Sequence, residues 1–255
     1  SRSEGTLISL VYAGKEMLAQ DINSPSGPIL QVWRAITSND KAFGKGRAYD
    51  WKQADLDQLV RKVERFQITR SESNHIQIDS IATSSTPDET GVKLHTTWVV
   101  FGDGTIKINC RFEPFGQLPP LPRLGVVMHV SDEYNMLRWH GRGPHENYPD
   151  RCQSAQMGIW SGSVDEQYIP YPRPQETGTK TDIRWLSLTN SDGAGLLVVA
   201  DQPIAASALH YTADDLERAR HTYELKPRKE VVLSLDARHS GLGNASCGPG
   251  VLPCY

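Results

Sequence analysis

Short runs of β-branched, aromatic and other apolar residues, broken by glycine, proline, asparagine and aspartate, extend along almost the whole chain. Two of these runs are joined by Gly102-Asp103-Gly104, a tight turn in which glycine and aspartate tolerate positive φ, and Asn190–Gly193 reads as a second hairpin turn. The predicted strands are Thr6–Tyr12, Glu64–Arg70, His75–Ser80, Lys93–Phe101, Thr105–Phe112, Arg123–Val130, Asn135–Trp139, Thr181–Thr189, Gly195–Ala200 and Glu230–Asp236. The series predicts an all-β fold built from antiparallel strands.

Alternation within the run Thr105–Phe112 indicates how such strands would pack. Ile106, Ile108, Cys110 and Phe112 are expected on one face, opposite Thr105, Lys107 and Asn109. One buried face and one wet face are what a large antiparallel β-sandwich requires. The tryptophans at positions 98, 139 and 185 lie inside predicted strands, so we expect them in the core rather than on a sugar-binding surface.

Two short helices are predicted to interrupt the strands. The first begins at Asp50 with capping-box character, and the second begins at Thr212. Leu56, Leu59 and Val60 follow at helical spacing and are expected on the inward face of the first helix. Leu216 and Ala219 are expected on the inward face of the second. Neither helix has the length of a repeated βα crossover, which excludes a (β/α)₈ barrel.

The 255 residues are long enough for one large all-β domain, and we interpret residues 1–255 as a single β-sandwich domain. The proline-rich stretch Gln117–Pro122 is the best candidate for an internal linker, near residues 114–122, which would join two halves of the sandwich. Hydrophobic residues make up 38% and charged residues 22%, ordinary values for a soluble globular protein.

Charge and hydropathy exclude several classes of partner. The net charge is −3, so a polyanion-binding surface and a nucleic-acid partner are not expected. No apolar run is long enough to span a bilayer, and no signal peptide is recognised, which leaves a cytoplasmic or a periplasmic location open. None of the four cysteines stands in a C-x-x-C pair, so zinc is not expected and reduced thiols are favoured over a disulfide framework.

Four segments stand out from this β-rich background. Gly27–Asp40 contains W-R-A-I-T-S-N-D, Trp139–Arg151 reads W-H-G-R-G-P-H-E-N-Y-P-D-R, Tyr171–Gly178 reads Y-P-R-P-Q-E-T-G, and Asp236–Gly250 is rich in glycine. In this order and spacing they resemble the last domain of the large, multidomain β-galactosidases of glycoside hydrolase family 2. The resemblance covers nearly the whole chain, and the run G-x-G-P-x-E-N-Y-x-D-R is its most specific part.

The resemblance implies a C-terminal domain with the galactose-mutarotase-like sandwich fold. It also implies a retaining hydrolase of terminal β-D-galactosides whose two carboxyl groups stand roughly 5 Å apart. In that family both carboxyl groups lie on a (β/α)₈ barrel, which this chain does not encode. We therefore expect no catalytic residue and no cofactor on this domain, an inactive isolated chain, and any Mg or Na ions of the parent enzyme elsewhere.

The same resemblance places this domain beside the barrel, at the rim of the active site. It implies substrate-binding roles for Asn39, Asp40, Asn244 and Cys247, the last standing where many family members carry a sugar-stacking tryptophan. The loop 41–46 would either close over a sugar or be an ordinary exposed loop. The family usually has proline and aspartate where this chain has Ile36 and Ser38.

The second segment contributes the structural motif Glu146, Asn147, Tyr148, Asp150 and Arg151. Glu146 and Asp150 could act as sugar-binding or catalytic carboxylates. We favour a buried hydrogen-bonded network in which Arg151 neutralises a carboxylate and pins a loop, with Tyr148 packed into the sandwich. Histidines 140, 145 and 239 are interpreted as structural or solvated rather than as mutarotase-like acids, and acids 166, 176 and 182 as surface or network residues.

Three functional hypotheses follow. The first is an excised domain of a β-galactosidase, favoured because the chain starts at Ser1 rather than Met, whose partners would be the catalytic barrel and a galactoside at the domain border. The second is a separately encoded small subunit of a heteromeric β-galactosidase. The third is a stand-alone carbohydrate-binding or aldose-epimerase-like protein, which fold alone would allow.

Overall fold

Antiparallel sheets form nearly all the regular structure in the computed structural model, which describes residues 3–20, 22, 24–44, 46–244 and 250–251, with the backbone alone of residue 43. In chain order the strands are β1 (Val11–Tyr12), β2 (Lys15–Glu16), β3 (Ile29–Gln31), β4 (Val60–Ser71), β5 (His75–Ser85), β6 (Gly91–Phe101), β7 (Ile106–Phe115), β8 (Arg123–Val130), β9 (Met136–Gly143), β10 (Gln156–Ser163), β11 (Lys180–Thr189), β12 (Gly195–Leu209) and β13 (Val231–His239). The predicted all-β sandwich class is confirmed.

A seven-stranded sheet with the order β10-β9-β11-β12-β13-β8-β3 carries the main core. Its inner face buries Trp139, Leu188 and Leu233, and Met17 and Leu18 from the N-terminal segment pack against the same cluster. Trp185 lies on the opposite face and is half-buried, so the expectation of a core position is right for Trp98 and Trp139 and wrong for Trp185.

The second large sheet is a four-stranded meander, β4-β5-β6-β7. Turns at Gly102–Gly104 and, in the larger sheet, at Asn190–Gly193 join neighbouring strands as predicted. The expected burial of Ile108 is wrong, because this residue is 45% exposed. It lies on β7, an edge strand with a neighbour on one side only, while its cross-strand partner Trp98 on β6 is buried.

The N-terminal segment connects the two sheets. The Arg61 guanidinium on β4 donates to the Glu4 carbonyl, while Leu7 and Leu10 pack against the core of the seven-stranded sheet. Only Val11–Tyr12 of the predicted strand Thr6–Tyr12 is a strand, paired with β2 in a two-stranded ribbon. The remainder runs as irregular chain between the sheets, where side-chain packing rather than a strand ladder fixes it.

The helices are α1 (Ser38–Lys41), α2 (Arg47–Gln53) and α3 (Ala213–Arg218), with short 3-10 segments at Ala42–Gly44, Asp165–Gln167 and Thr222–Glu224. The predicted start of α3 is confirmed, since Thr212 forms a capping box with Asp215. The prediction of a helix that begins at Asp50 is wrong. Helix α2 begins at Arg47, after Gly46, and already ends at Gln53, and Val60 belongs to β4. Asp55 adopts positive φ, which stops the helix. None of the described helices is long and apolar enough to cross a bilayer.

Residues between β7 and β8, the candidate linker, cover the second apolar cluster. Leu118 and Leu121 pack against this cluster, which includes Trp33 and Trp51, and the Trp51 indole donates to the Pro120 carbonyl at 2.8 Å. The linker therefore holds α2 against the start of the first motif segment. The single-domain interpretation stays a prediction.

Candidate functional site

The four segments singled out in the sequence meet in space, although more than two hundred positions separate the first from the last. The guanidinium of Arg34 joins the first segment to the fourth, because it donates to the Ser240 carbonyl at 2.7 Å and to the Gly241 carbonyl at 3.1 Å. The third segment joins them through the Glu176 amide, which donates to the Ala35 carbonyl at 3.2 Å. The residues that carried the sequence motif thus form one connected site.

Arg34 also forms a buried ion pair with Asp40, at 2.7 Å. The second oxygen of Asp40 accepts from the Thr37 amide at 3.0 Å, and the Thr37 hydroxyl accepts from the Asp40 amide at 3.1 Å, which makes a capping box at the start of α1. Because both Asp40 oxygens have protein partners, this side chain fixes α1 relative to Arg34. Asn39, the neighbouring predicted residue, is half-buried and donates from its amide to the Gly243 carbonyl.

Asp150 anchors the glycine-rich segment from the other side. Its carboxylate accepts the Leu242 amide at 2.9 Å and the Gly243 amide at 2.6 Å. A Cβ on Gly241 would lie 2.4 Å from the Asp150 carboxyl carbon, so only glycine allows this close approach. Asn244 follows directly and is exposed. Cys247, the fourth predicted substrate-binding residue, lies outside the described residues.

Glu146 is the centre of the motif loop between β9 and β10. It accepts from the Arg151 guanidinium at 2.7 Å, the Gly178 amide at 2.8 Å and the Thr177 hydroxyl at 3.2 Å, and also from Tyr171. These partners occupy both carboxylate oxygens, so the group ties the second segment to the third and has little capacity left for a sugar hydroxyl.

The other motif residues complete that loop. Tyr148 is fully buried, and burial together with the neighbouring carboxylates raises its pKa well above the ordinary value, which keeps the phenol protonated. The Asn147 side-chain oxygen accepts the Thr181 amide at 2.9 Å and the Thr181 hydroxyl at 2.6 Å. The Arg151 guanidinium lies over the Tyr148 ring, 5.4 Å from its centre.

Sequence reasoning missed a buried ionic network next to this loop. Arg123 makes a two-pronged contact with Asp236 and lies 3.7 Å from Glu176, which in turn lies 3.6 Å from the His239 ring. Burial acts to raise the pKa of Glu176, but the charges of Arg123 and His239 outweigh it and hold the pKa at about 2. The signal available in the sequence was Arg123 itself, a charge at the start of the largely apolar strand β8.

The remaining candidate acids and histidines lie in separate surroundings. His140 lies against Trp185 at a ring distance of 6.1 Å, His145 is exposed beside Ser154, and only His239 belongs to the buried network. Glu166 accepts from the Ser163 amide at 2.8 Å, and Asp182 pairs with Arg142. These groups do not converge on a common point where a substrate could react.

Neither of two internal cavities fits a sugar. One, of about 10 Å³, is lined by Lys180 and Trp139 among others, and the second, of about 20 Å³, by Gln31 and Glu176. Such volumes hold one or two waters, whereas pockets for small molecules measure hundreds of cubic ångströms. Within the described ranges, no cluster of three or more His, Cys, Asp or Glu side chains is arranged to hold a metal ion.

Comparison with known families matches residues 1–255 to the family described as beta galactosidase small chain. The β-galactosidase of Priestia megaterium is 33% identical over 243 residues, which are 95% of this chain and 22% of that protein. That of Arthrobacter sp. is 34% identical over 260 residues, 90% of this chain and 25% of the relative. The β-galactosidase of Vibrio cholerae is 34% identical over 253 residues, which are 95% of this chain and 23% of that protein. The chain thus spans about a quarter of the length of the curated relatives it matches.

Proposed function

This chain belongs to the beta galactosidase small chain family, and from that premise we propose that it is the C-terminal domain of a glycoside hydrolase family 2 β-galactosidase. The complete enzyme would hydrolyse terminal β-D-galactosides with retention of configuration. Here the chain contributes one galactose-mutarotase-like domain, and its matched relatives are about four times longer.

The observation that carries this proposal is the contact between α1 and the glycine-rich segment. Asn39 touches Gly243 while Asn244 is exposed beside it, so two side-chain amides lie at one edge of the fold. Side-chain amides both donate to and accept from sugar hydroxyls. We assign Asn39 and Asn244, with Cys247 after them, to the sugar-facing rim, and Asp40 to holding Asn39 in position.

The catalytic carboxyl groups would come from the rest of the enzyme. Retaining hydrolysis needs two of them on opposite sides of the scissile bond. The buried acids of this chain fill other roles, since Glu146, Glu176 and Asp236 are bound to protein cations and amides. A (β/α)₈ barrel fits the requirement, and any Mg or Na ions would be bound on that part.

Two activities test the proposal. Hydrolysis of an aryl β-galactoside is measured for the 255-residue chain and for the complete enzyme, with the product configuration determined by NMR, and galactose mutarotation is measured for the chain. We expect no hydrolysis and no galactose mutarotation from the chain alone, and a retained product from the complete enzyme. Hydrolysis by the pure chain, or an inverted product, would contradict the assignment.

Substitution at the rim gives a sharper test. In the complete enzyme, Asn39→Ala and Asn244→Ala should each lower kcat/KM about fivefold, since a neutral hydrogen bond contributes about 1 kcal/mol. The exposed Asn109 on β7 provides a matched control, and Asn109→Ala should leave kcat/KM unchanged. Equal behaviour of the rim variants and the control would remove the rim assignment.

The description of the matched family as a small chain favours one alternative, a separately encoded subunit of a heteromeric β-galactosidase. Denaturing electrophoresis of the native enzyme separates the two arrangements. A single band at the length of the relatives supports a domain, whereas a band of about 28.4 kDa beside a larger one supports a subunit.

A further inference from the structure

After its first residue, Gly195, strand β12 continues with five consecutive apolar residues, Leu196-Leu197-Val198-Val199-Ala200. Successive side chains of a strand point to opposite faces of its sheet, so such a run is apolar on both faces. Continuous apolar runs are typical of strands that are buried on both sides, whereas a strand with one wet face alternates. The sequence of β12 therefore predicts that both faces of this strand are covered.

The structure supplies one of these layers. Leu196 and Val198 pack against the main core, but Leu197 is 65% exposed and Val199 69% exposed on the outer face of the seven-stranded sheet. Cross-strand pairing aligns Val199 with Trp185, Trp185 with His140, and His140 with Ile159, which is 55% exposed. We call these residues the outer row: Ile159, His140, Trp185, Val199 and Leu197. It crosses four adjacent strands.

Guanidinium groups edge the outer row. Arg138 lies over the Trp185 ring, 6.0 Å from its centre, and the Arg184 guanidinium lies 3.9 Å from the sulfur of Met157, an exposed neighbour of Ile159. Tryptophan, methionine and arginine are among the residue types enriched at protein interfaces. The pattern fits a protein partner with an apolar centre and carboxylates at its edge.

The outer row is also continuous with the candidate site. Arg142, on the same face of β9 as His140, pairs with Asp182 and donates to the Ala155 carbonyl at 3.0 Å. Ala155 ends the loop that carries Glu146 and Asp150, so a partner seated on the row would extend toward the rim of the proposed cleft. A second copy of this chain fits less well, because self-association would bring together two surfaces that both have arginine at the edge, without the carboxylates that such an edge favours.

We propose that the outer row is the surface on which the remaining three quarters of the β-galactosidase dock. This inference rests on the proposed function, since it takes the missing length of the relatives as the partner. It assigns a surface to that association: apolar side chains at its centre and Arg138 and Arg184 at its edge.

Hydroxyl-radical footprinting tests the surface directly, because Met157 and Trp185 are both oxidisable reporters on it. In the isolated chain both should be oxidised readily, and in the complete enzyme both should fall to the rate of the fully buried Trp51. Tyr223, 81% exposed and remote in sequence, should stay reactive in both. Equal oxidation of Met157 and Trp185 in the two samples would overturn the proposal. Protection that appears in the isolated chain with rising concentration, with a dimer in sedimentation, would also overturn it.

A pair of variants adds an independent measurement. The double substitution Leu197→Glu and Val199→Glu should return Met157 and Trp185 in the complete enzyme to the oxidation rate of the isolated chain. Val60→Glu is the matched control, since Val60 is 68% exposed on the other sheet, and it should keep both reporters protected. Protection that survives the double substitution would refute the surface. Footprinting does not depend on turnover, so an active enzyme without protection removes this inference alone, and protection without galactoside hydrolysis removes the proposed function alone.

Discussion

Replacing Arg123 with methionine tests whether the buried ionic network holds this fold together. Arg123 and its partners Asp236 and Glu176 are all buried. Methionine keeps most of the volume but removes the charge, which leaves two buried carboxylates without their cation. Breaking a buried ion pair from one side costs about 3–5 kcal/mol, a large part of the stability of an ordinary domain.

The pH dependence identifies the cause. In the wild-type chain the pKa of Glu176 is about 2, against an ordinary value of 4.5, which corresponds to about 3 kcal/mol of stabilisation. A depressed pKa means that this stabilisation is present above pH 4.5 and is lost as the pH falls toward 2. Without Arg123, burial should raise the pKa of Glu176 instead. Acidification from neutral pH should then stabilise the variant while it destabilises the wild type.

Urea unfolding of the 255-residue chain, followed by tryptophan fluorescence between pH 3 and pH 7, measures both effects. Arg111→Met is the matched control. The Arg111 side chain is 65% exposed and forms a surface ion pair with Glu113 at 3.4 Å, so losing this pair should cost at most about 1 kcal/mol. Arg123→Lys keeps a charge and should fall between the two, which covers the case of a methionine variant that does not fold. Equal stability of the Arg123→Met and Arg111→Met variants, or a parallel pH dependence, would refute the reasoning.

Three further outcomes are expected. Asp150→Ala should cost about 1–2 kcal/mol and speed proteolytic cleavage of the glycine-rich segment, whose backbone amides it binds; unchanged cleavage would count against it. Gly178→Ala should lower the free energy of unfolding in urea by about 1–2 kcal/mol more than Gly14→Ala. Both glycines have a φ of +77°, but only at position 178 would a Cβ meet a backbone oxygen, at 2.8 Å. Lys180→Met should raise the free energy of unfolding at pH 7 by about 3 kcal/mol, because burial lowers the pKa of this lysine to about 8 from 10.5. Only the wild type should then gain stability as the pH rises from 8 to 10.5. Equal urea midpoints of the two proteins at pH 7 would refute this.

Local patterns were sufficient for most strands of the fold. The bounds of β8 agree with the prediction, and β6, β7 and β11 lie within a few residues of it, because alternation and glycine turns are written into contiguous sequence. Strand β10 escaped prediction, since Gln156–Ser163 has glycines at positions 158 and 162 that weaken any strand pattern. Its pairing with β9, a tertiary interaction, is what makes it a strand.

The sequence motifs identified the segments that the structure connects, but not which side chains pair within them, and the substrate-binding roles stay predictions. The motif segments named Arg34, Asp40, Glu146 and Asp150 in advance, yet the partner expected for Arg151 was open, and the structure assigns Glu146. Arg123 and Asp236 lie on β8 and β13, which are neighbours only once the seven-stranded sheet has formed. A buried pair across two distant strands leaves no short-range pattern in the sequence.

Main-chain groups supply most of the contacts that hold the glycine-rich segment between Ser240 and Gly243. Asp150 accepts two of its amides, Arg34 and Asn39 donate to its carbonyls, and the Ser240 hydroxyl adds one side-chain contact by accepting from Arg47 at 2.9 Å. Because nearly every residue carries a backbone amide and a carbonyl, the main-chain hydrogen bonds do not depend on which side chain stands at position 242.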